Sequence, residues 1–173
     1  MKKAGQQSKQ TNNRLTALCG VLIALAMILS YLENLVPIHF AVPGIKLGLA
    51  NVVTIIALQK LGVRPALVIS VGRIVLSGIL FGNLAVIIYS LAGALLSILV
   101  MCLVRRFKVF SITGVSVCGA VAHNFGQLMV AACVMENAKI MYYMAVLAVS
   151  GTIAGVIIGI FAGIIMHNIH FSK

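Results

Sequence analysis

A chain of 173 residues with 62% hydrophobic side chains, 9% charged residues and no Trp is not a water-soluble domain, which needs roughly a quarter of its positions charged. Its net charge of +11 comes from 13 Lys and Arg against two acids, Glu33 and Glu136, with no Asp. The basic residues sit mostly in short segments between apolar runs, so they read as membrane-topology signals rather than as a nucleic-acid surface. The class indicated is an all-α, polytopic membrane protein.

In chain order, residues 1–14 are polar and read as a flexible cytoplasmic tail, followed by a single integral membrane domain over 15–173. No small-x-small cleavage site closes the first apolar run, so no removable signal peptide is expected. Six spans follow: Leu15–Leu32, Ile45–Leu61, Pro65–Phe81, Leu84–Val104, Val115–Met135 and Tyr142–Met166. Several lie near the lower limit of about 17 residues for crossing hydrocarbon, and a re-entrant segment in place of the second or third is an open alternative. With the amino terminus inside, Lys2, Lys3, Lys9, Arg14, Lys60, Arg64, Arg105, Arg106, Lys108 and Lys173 fall on the cytoplasmic face. Only Lys139 then falls in an outer loop, with Lys46 and Arg73 unassigned. That asymmetry predicts both termini in the cytoplasm.

Small residues mark close helix contacts. Gly151, Gly155, Gly159 and Gly163 recur every fourth position of the last span and predict a packing ridge within the molecule. Ala17, Gly20 and Ala24 form a lesser version on the first span, read either as internal packing or as a surface for a partner. The cysteines Cys19, Cys102, Cys118 and Cys133 lack metal-site spacing and read as small apolar packing residues, with no metal or other cofactor expected. The basic loop RRFKVF, residues 105–110, reads first as a topology signal that meets anionic lipid.

The polar residues within apolar spans carry the functional reading. Lys46 follows Pro43 and Gly44 and opens the second span, where unpaired backbone N–H groups also attract an anion; the alternative is that it snorkels to the headgroups. Arg73 lies mid-span, where an ionised group is costly unless it is paired or faces a wet cavity. Glu33 is one possible counter-charge and a ligand the other. In AHNFGQ, residues 122–127, His123 and Gln127 share a helix face with Asn124 beside them. Three such groups so close together predict a lined cavity, which Asn51 and Thr54 would extend. The substrate-binding set expected is Lys46, Asn51, Arg73, His123, Asn124 and Gln127. No Walker loop, paired carboxylates, Ser/His/Asp set, HExxH or CxxC accompanies it, so the chain reads as a binding or permeation module, not an enzyme.

Four stretches carry a resemblance to a family: VPGIKLGLANVV, the arginine in SVGRIVLSGILFG, SLAGALLS at 90–97 and GAVAHNFGQL at 119–128. Together they resemble the bacterial Gx transporter family, also described as heptaprenyl diphosphate synthase component I, which is similar to the S components of energy-coupling factor transporters. The resemblance implies a compact bundle of about six transmembrane helices in the bacterial cytoplasmic membrane. It also implies a small-molecule substrate, surrounding membrane lipids, a transmembrane coupling subunit and cytoplasmic ATPases. S components usually dock through small residues on the first helix. Here Ala17, Gly20 and Ala24 are present but Ala17 is followed four positions later by Val21, so the AxxxA pattern is broken. On this reading ENLVPIHFAVPG, residues 33–44, closes over the cavity. The alternative is a noncatalytic membrane component that assists a heptaprenyl diphosphate synthase in isoprenoid or menaquinone synthesis, because the chain has no Asp for an aspartate-rich magnesium site.

Overall fold

A computed structural model of the chain describes residues 2–35, 48–107 and 109–168. The described residues form helices and contain no strand. The helices are α1 (Lys2–Leu35), α2 (Leu49–Lys60), α3 (Val63–Phe81), α4 (Leu84–Arg106), α5 (Ile112–Val134) and α6 (Met144–Asn168), with a 3₁₀ turn over Ala138–Tyr143 before α6. Five of them, all but α2, contain stretches long and apolar enough to cross a membrane. An α-helix satisfies every backbone polar group within its own segment, which hydrocarbon requires.

Local chemistry sets the helix boundaries. Asn83 Oδ1 accepts from Val86 N at 2.9 Å to start α4, and Ser111 Oγ accepts from Gly114 N at 3.2 Å to start α5, each supplying one unpaired N–H of the first turn with a partner. Between α2 and α3, Gly62 adopts φ 99°, a conformation open to glycine without a Cβ penalty. The chain there reverses within two residues.

Residues 2–14 are helical and continue α1, which is therefore about 51 Å long at 1.5 Å per residue. That exceeds the roughly 30 Å of bilayer hydrocarbon, and its polar first turns lie beyond the apolar stretch Asn12–Glu33. The second span contracts to α2, 12 residues or about 18 Å, too short to cross by itself; residues 45–47 of that span lie outside the described residues.

Helices α1, α3, α4, α5 and α6 pack as an arc in that order, and α2 lies against α1, α3 and α6. Val52, Val53, Ile55, Ile56, Ala57 and Leu58 of α2 are all buried, together with Ala66 and Ile69 of α3, Ile98 and Met101 of α4, and Ile158 and Ala162 of α6. A helix apolar all round belongs in a core, and α2 occupies it. The longer helices turn Leu25, Ile28, Ile79, Leu99, Val149, Ile153 and Ile160 outward, where lipid meets them.

Glycines allow the closest approaches. A Cβ on Gly155 would stand 2.6 Å from Val117 Cα, and one on Gly159 2.5 Å from Thr113 Cα, so α6 lies backbone to backbone on α5. Gly163, in the same series, has nothing within 4 Å of such an atom. The ridge therefore packs internally over three of its four glycines. On α1, Ala17, Gly20 and Ala24 are exposed and a Cβ on Gly20 would meet nothing within 4 Å, so that face packs on no other described element. The four cysteines are free thiols; Cys19 is buried in the core and Cys133 is exposed.

Candidate functional site

All six helices contribute walls to a chamber of about 560 Å³ at one end of the bundle, where α1, α3 and α5 finish and α2, α4 and α6 begin. Its volume falls within the range of small-molecule sites. Asn51, Arg73, His123, Asn124 and Gln127, predicted from separate segments, all line it. Lys46 and most of the 33–44 stretch lie outside the described residues.

Arg73 reaches the chamber from the middle of α3. Its NH1 donates to Ser30 Oγ of α1 at 3.2 Å, and its Nε is buried without a hydrogen-bond partner among the described residues. Glu33 also lines the chamber, but its Oε1 accepts from Gly48 N at 2.5 Å. The carboxylate thus caps the approach to α2, whose N-terminal dipole favours a negative charge. Gly48 has φ 73°, which turns its N–H toward the end of α1. The anion expected at the start of this helix is, in part, the protein's own Glu33.

The polar face of α5 is set by its contact with α4. A Cβ on Gly93 would stand 2.8 Å from both His123 O and Gln127 Cγ, and one on Gly126 2.9 Å from Ala92 O. These reciprocal glycines bring α4 and α5 together and leave His123 and Gln127 beside the chamber. Asn124 has a second employment: its Nδ2 donates to Leu147 O of α6 at 2.8 Å. It joins two helices as well as lining the wall.

The chamber wall also holds polar groups outside the expected set. Ser30 and Tyr31 come from α1, Ser77 from α3, Tyr89 and Ser90 from α4, and Ser150 from α6. Tyr31 and Phe81, both lining the chamber, pack against each other with ring centroids 5.2 Å apart and planes tilted by 39°. Ser77 Oγ, like Arg73 Nε, is buried without a partner among the described residues. Single serines and tyrosines in apolar helices carry little sequence signal, since a Ser can satisfy itself on its own helix, as Ser150 Oγ does on Leu147 O at 3.1 Å. Glu33 was legible as one of two acids, but not its bond to Gly48.

At the opposite end, Arg105 NH1 donates to Leu58 O. A cation there satisfies one of the carbonyls that the last turn of α2 leaves unpaired. Among the described residues, no group of three His, Cys, Asp or Glu side chains is placed to hold a metal ion.

The family model described as heptaprenyl diphosphate synthase component I matches residues 22–165. No curated protein and no solved structure matches the chain.

Proposed function

The chain belongs to the heptaprenyl diphosphate synthase component I family, and from that premise we propose that it is a noncatalytic membrane subunit that captures a small polar solute in the chamber for uptake. The observation that carries the reading is Arg73: a guanidinium in the membrane interior, with Nε unsatisfied, lining a chamber of about 560 Å³ with Asn51, His123, Asn124 and Gln127. Leaving such a donor without a partner is costly, and an anionic or strongly electronegative group on the solute would relieve it. The solute class is an anionic, vitamin-like or isoprenoid- or quinone-related molecule of a size that fits the chamber. Lys46, two positions before Gly48, is proposed as a further contact.

Charge distribution supports an orientation in the cytoplasmic membrane. Lys60, Arg64, Arg105 and Arg106 are exposed at the end opposite the chamber, and a basic end faces the cytoplasm. The chamber then opens outward and both termini lie inside. With no nucleotide-binding loop of its own, an uptake subunit of this kind would work with a transmembrane coupling subunit and cytoplasmic ATPases. The exposed Ala17, Gly20 and Ala24 face of α1 is the proposed docking surface.

The family description itself favours a second reading, a membrane component associated with a heptaprenyl diphosphate synthase. The chain has no Asp from which to build an aspartate-rich magnesium motif, and on this reading the magnesium-dependent chemistry would belong to another subunit. Native mass spectrometry of wild type and Arg73→Ala, extracted gently from the native membrane, separates the two. A small molecule that co-purifies with wild type and is lost from the variant is the expected result. An attached prenyl synthase, with no small molecule in either sample, would replace the uptake reading with the second one.

A further inference from the structure

Beneath the chamber lies a second cavity, of about 20 Å³, which shares Asn51, Ala120, His123 and Ile158 with the chamber wall. A polar cavity needs roughly 10–15 Å³ to hold one water molecule. Four hydroxyl side chains line it, one from each of four helices: Thr54 of α2, Ser70 of α3, Ser97 of α4 and Ser116 of α5. These are the buried polar residues of the described chain, between 2% and 8% exposed, and all of them meet at this one point. Thr54 Oγ1 has no hydrogen-bond partner among the described residues.

That convergence has a chemical direction. Thr54 stands between Val53 and Ile55 in the most buried helix of the bundle, where a valine would fill the same space without leaving a hydroxyl unpaired. A hydroxyl can donate and accept, so four of them around a cavity of this size match a small neutral molecule that does both. A cation fits poorly. No carboxylate of the described residues lines the cavity, and Arg73 lines the adjoining chamber. We infer that this recess is an internal water site, its water tying Thr54 to the hydroxyls of α3, α4 and α5 and linking that cluster through Asn51 and His123 to the chamber floor. The inference stands on these groups whether or not the chamber takes up a solute.

The test turns on the sign of a stability change. With a bound water, Thr54→Val removes one of that water's partners and lowers Tm in detergent by about 2–4 °C, the shift that about 1 kcal/mol produces in a chain of this size, while Thr54→Ser stays within about 1 °C of wild type. If the cavity is dry, the same valine removes an unsatisfied hydroxyl and Tm is unchanged or raised, which overturns the inference. Melts in sodium chloride and choline chloride at equal ionic strength identify the other occupant: a sodium-specific rise in Tm, lost in Thr54→Val, makes the recess a cation site and overturns it as well. Ser97→Ala provides an independent variant should Thr54→Val not fold. A crystal structure from a lipidic phase should show density with oxygen contacts of about 2.7–3.0 Å, and absence of that density would sink the water site.

Discussion

Arg73 divides its hydrogen-bonding capacity between the protein and the chamber: NH1 is committed to Ser30 Oγ and Nε is not committed within the described chain. Hydrogen bonds to a charged group contribute about 1.5–3 kcal/mol, so Arg73→Ala should weaken solute binding by about 10–150-fold. Arg73→Lys should fall between, because an ammonium retains the charge without the planar fork. Titration of both variants with the molecule identified by mass spectrometry checks this; equal affinity in Arg73→Ala and wild type would remove the arginine from the site. Glu33 has a different role, as the acceptor for Gly48 N–H at the start of α2. Glu33→Ala should destabilise the bundle by about 1 kcal/mol, as loss of a helix cap does, whereas Glu33→Gln keeps an acceptor and should cost less. Thermal melts of the pair give the answer, and equal melting of all three proteins would mean that the contact contributes nothing. Glu33 and Arg73 thus line one chamber, with the acid's Oε1 bonded to Gly48 N–H and the arginine's Nε–H unpaired among the described residues.

At the level of helices, α2 is held by side chains at both ends, Glu33 toward its start and Arg105 at its finish, and by apolar packing on nearly every side between. Its short length follows from that position, since a helix enclosed by other helices need not match the bilayer thickness. The α5–α6 contact depends on absent side chains. Gly155→Leu or Gly159→Leu must push the α5 and α6 backbones apart, and overpacking of this kind costs about 1–3 kcal/mol or more; folded yield and Tm should fall for both. Gly163→Leu, with open space around that position, should leave Tm within about 1 °C of wild type. A ranking in which Gly163→Leu is the most damaging would contradict the described packing. Gly20→Leu should likewise leave the isolated subunit stable, and in the uptake reading it should abolish recovery of the coupling subunit on co-purification.

For the whole molecule, orientation is the property on which the uptake reading depends. In a cysteine-free background, Asn137→Cys should react with a membrane-impermeant maleimide added to intact cells and Val109→Cys should not; the opposite pattern would turn the chamber toward the cytoplasm and remove the uptake reading. Much of the architecture was readable from residue order. Runs of apolar residues too long for a soluble protein mark the helices, because hydrocarbon admits few alternatives to a helix, and Arg73, His123, Asn124, Gln127 and Asn51 stood out because each is expensive in lipid. Their assembly around one chamber was not deducible from spacing, for it depends on which faces of six helices meet. Spacing alone could not separate Gly163 from Gly155 and Gly159, nor tell that α2 is short and buried in the core while the other five helices face outward. It was equally silent on the meeting of Thr54, Ser70, Ser97 and Ser116, since serine and threonine are cheap enough in a helix to occur anywhere and acquire meaning only when four helices bring them to one point. One-dimensional order carries the free energy of moving each segment from water to lipid; the pairing of helix faces resides in contacts between segments far apart along the chain.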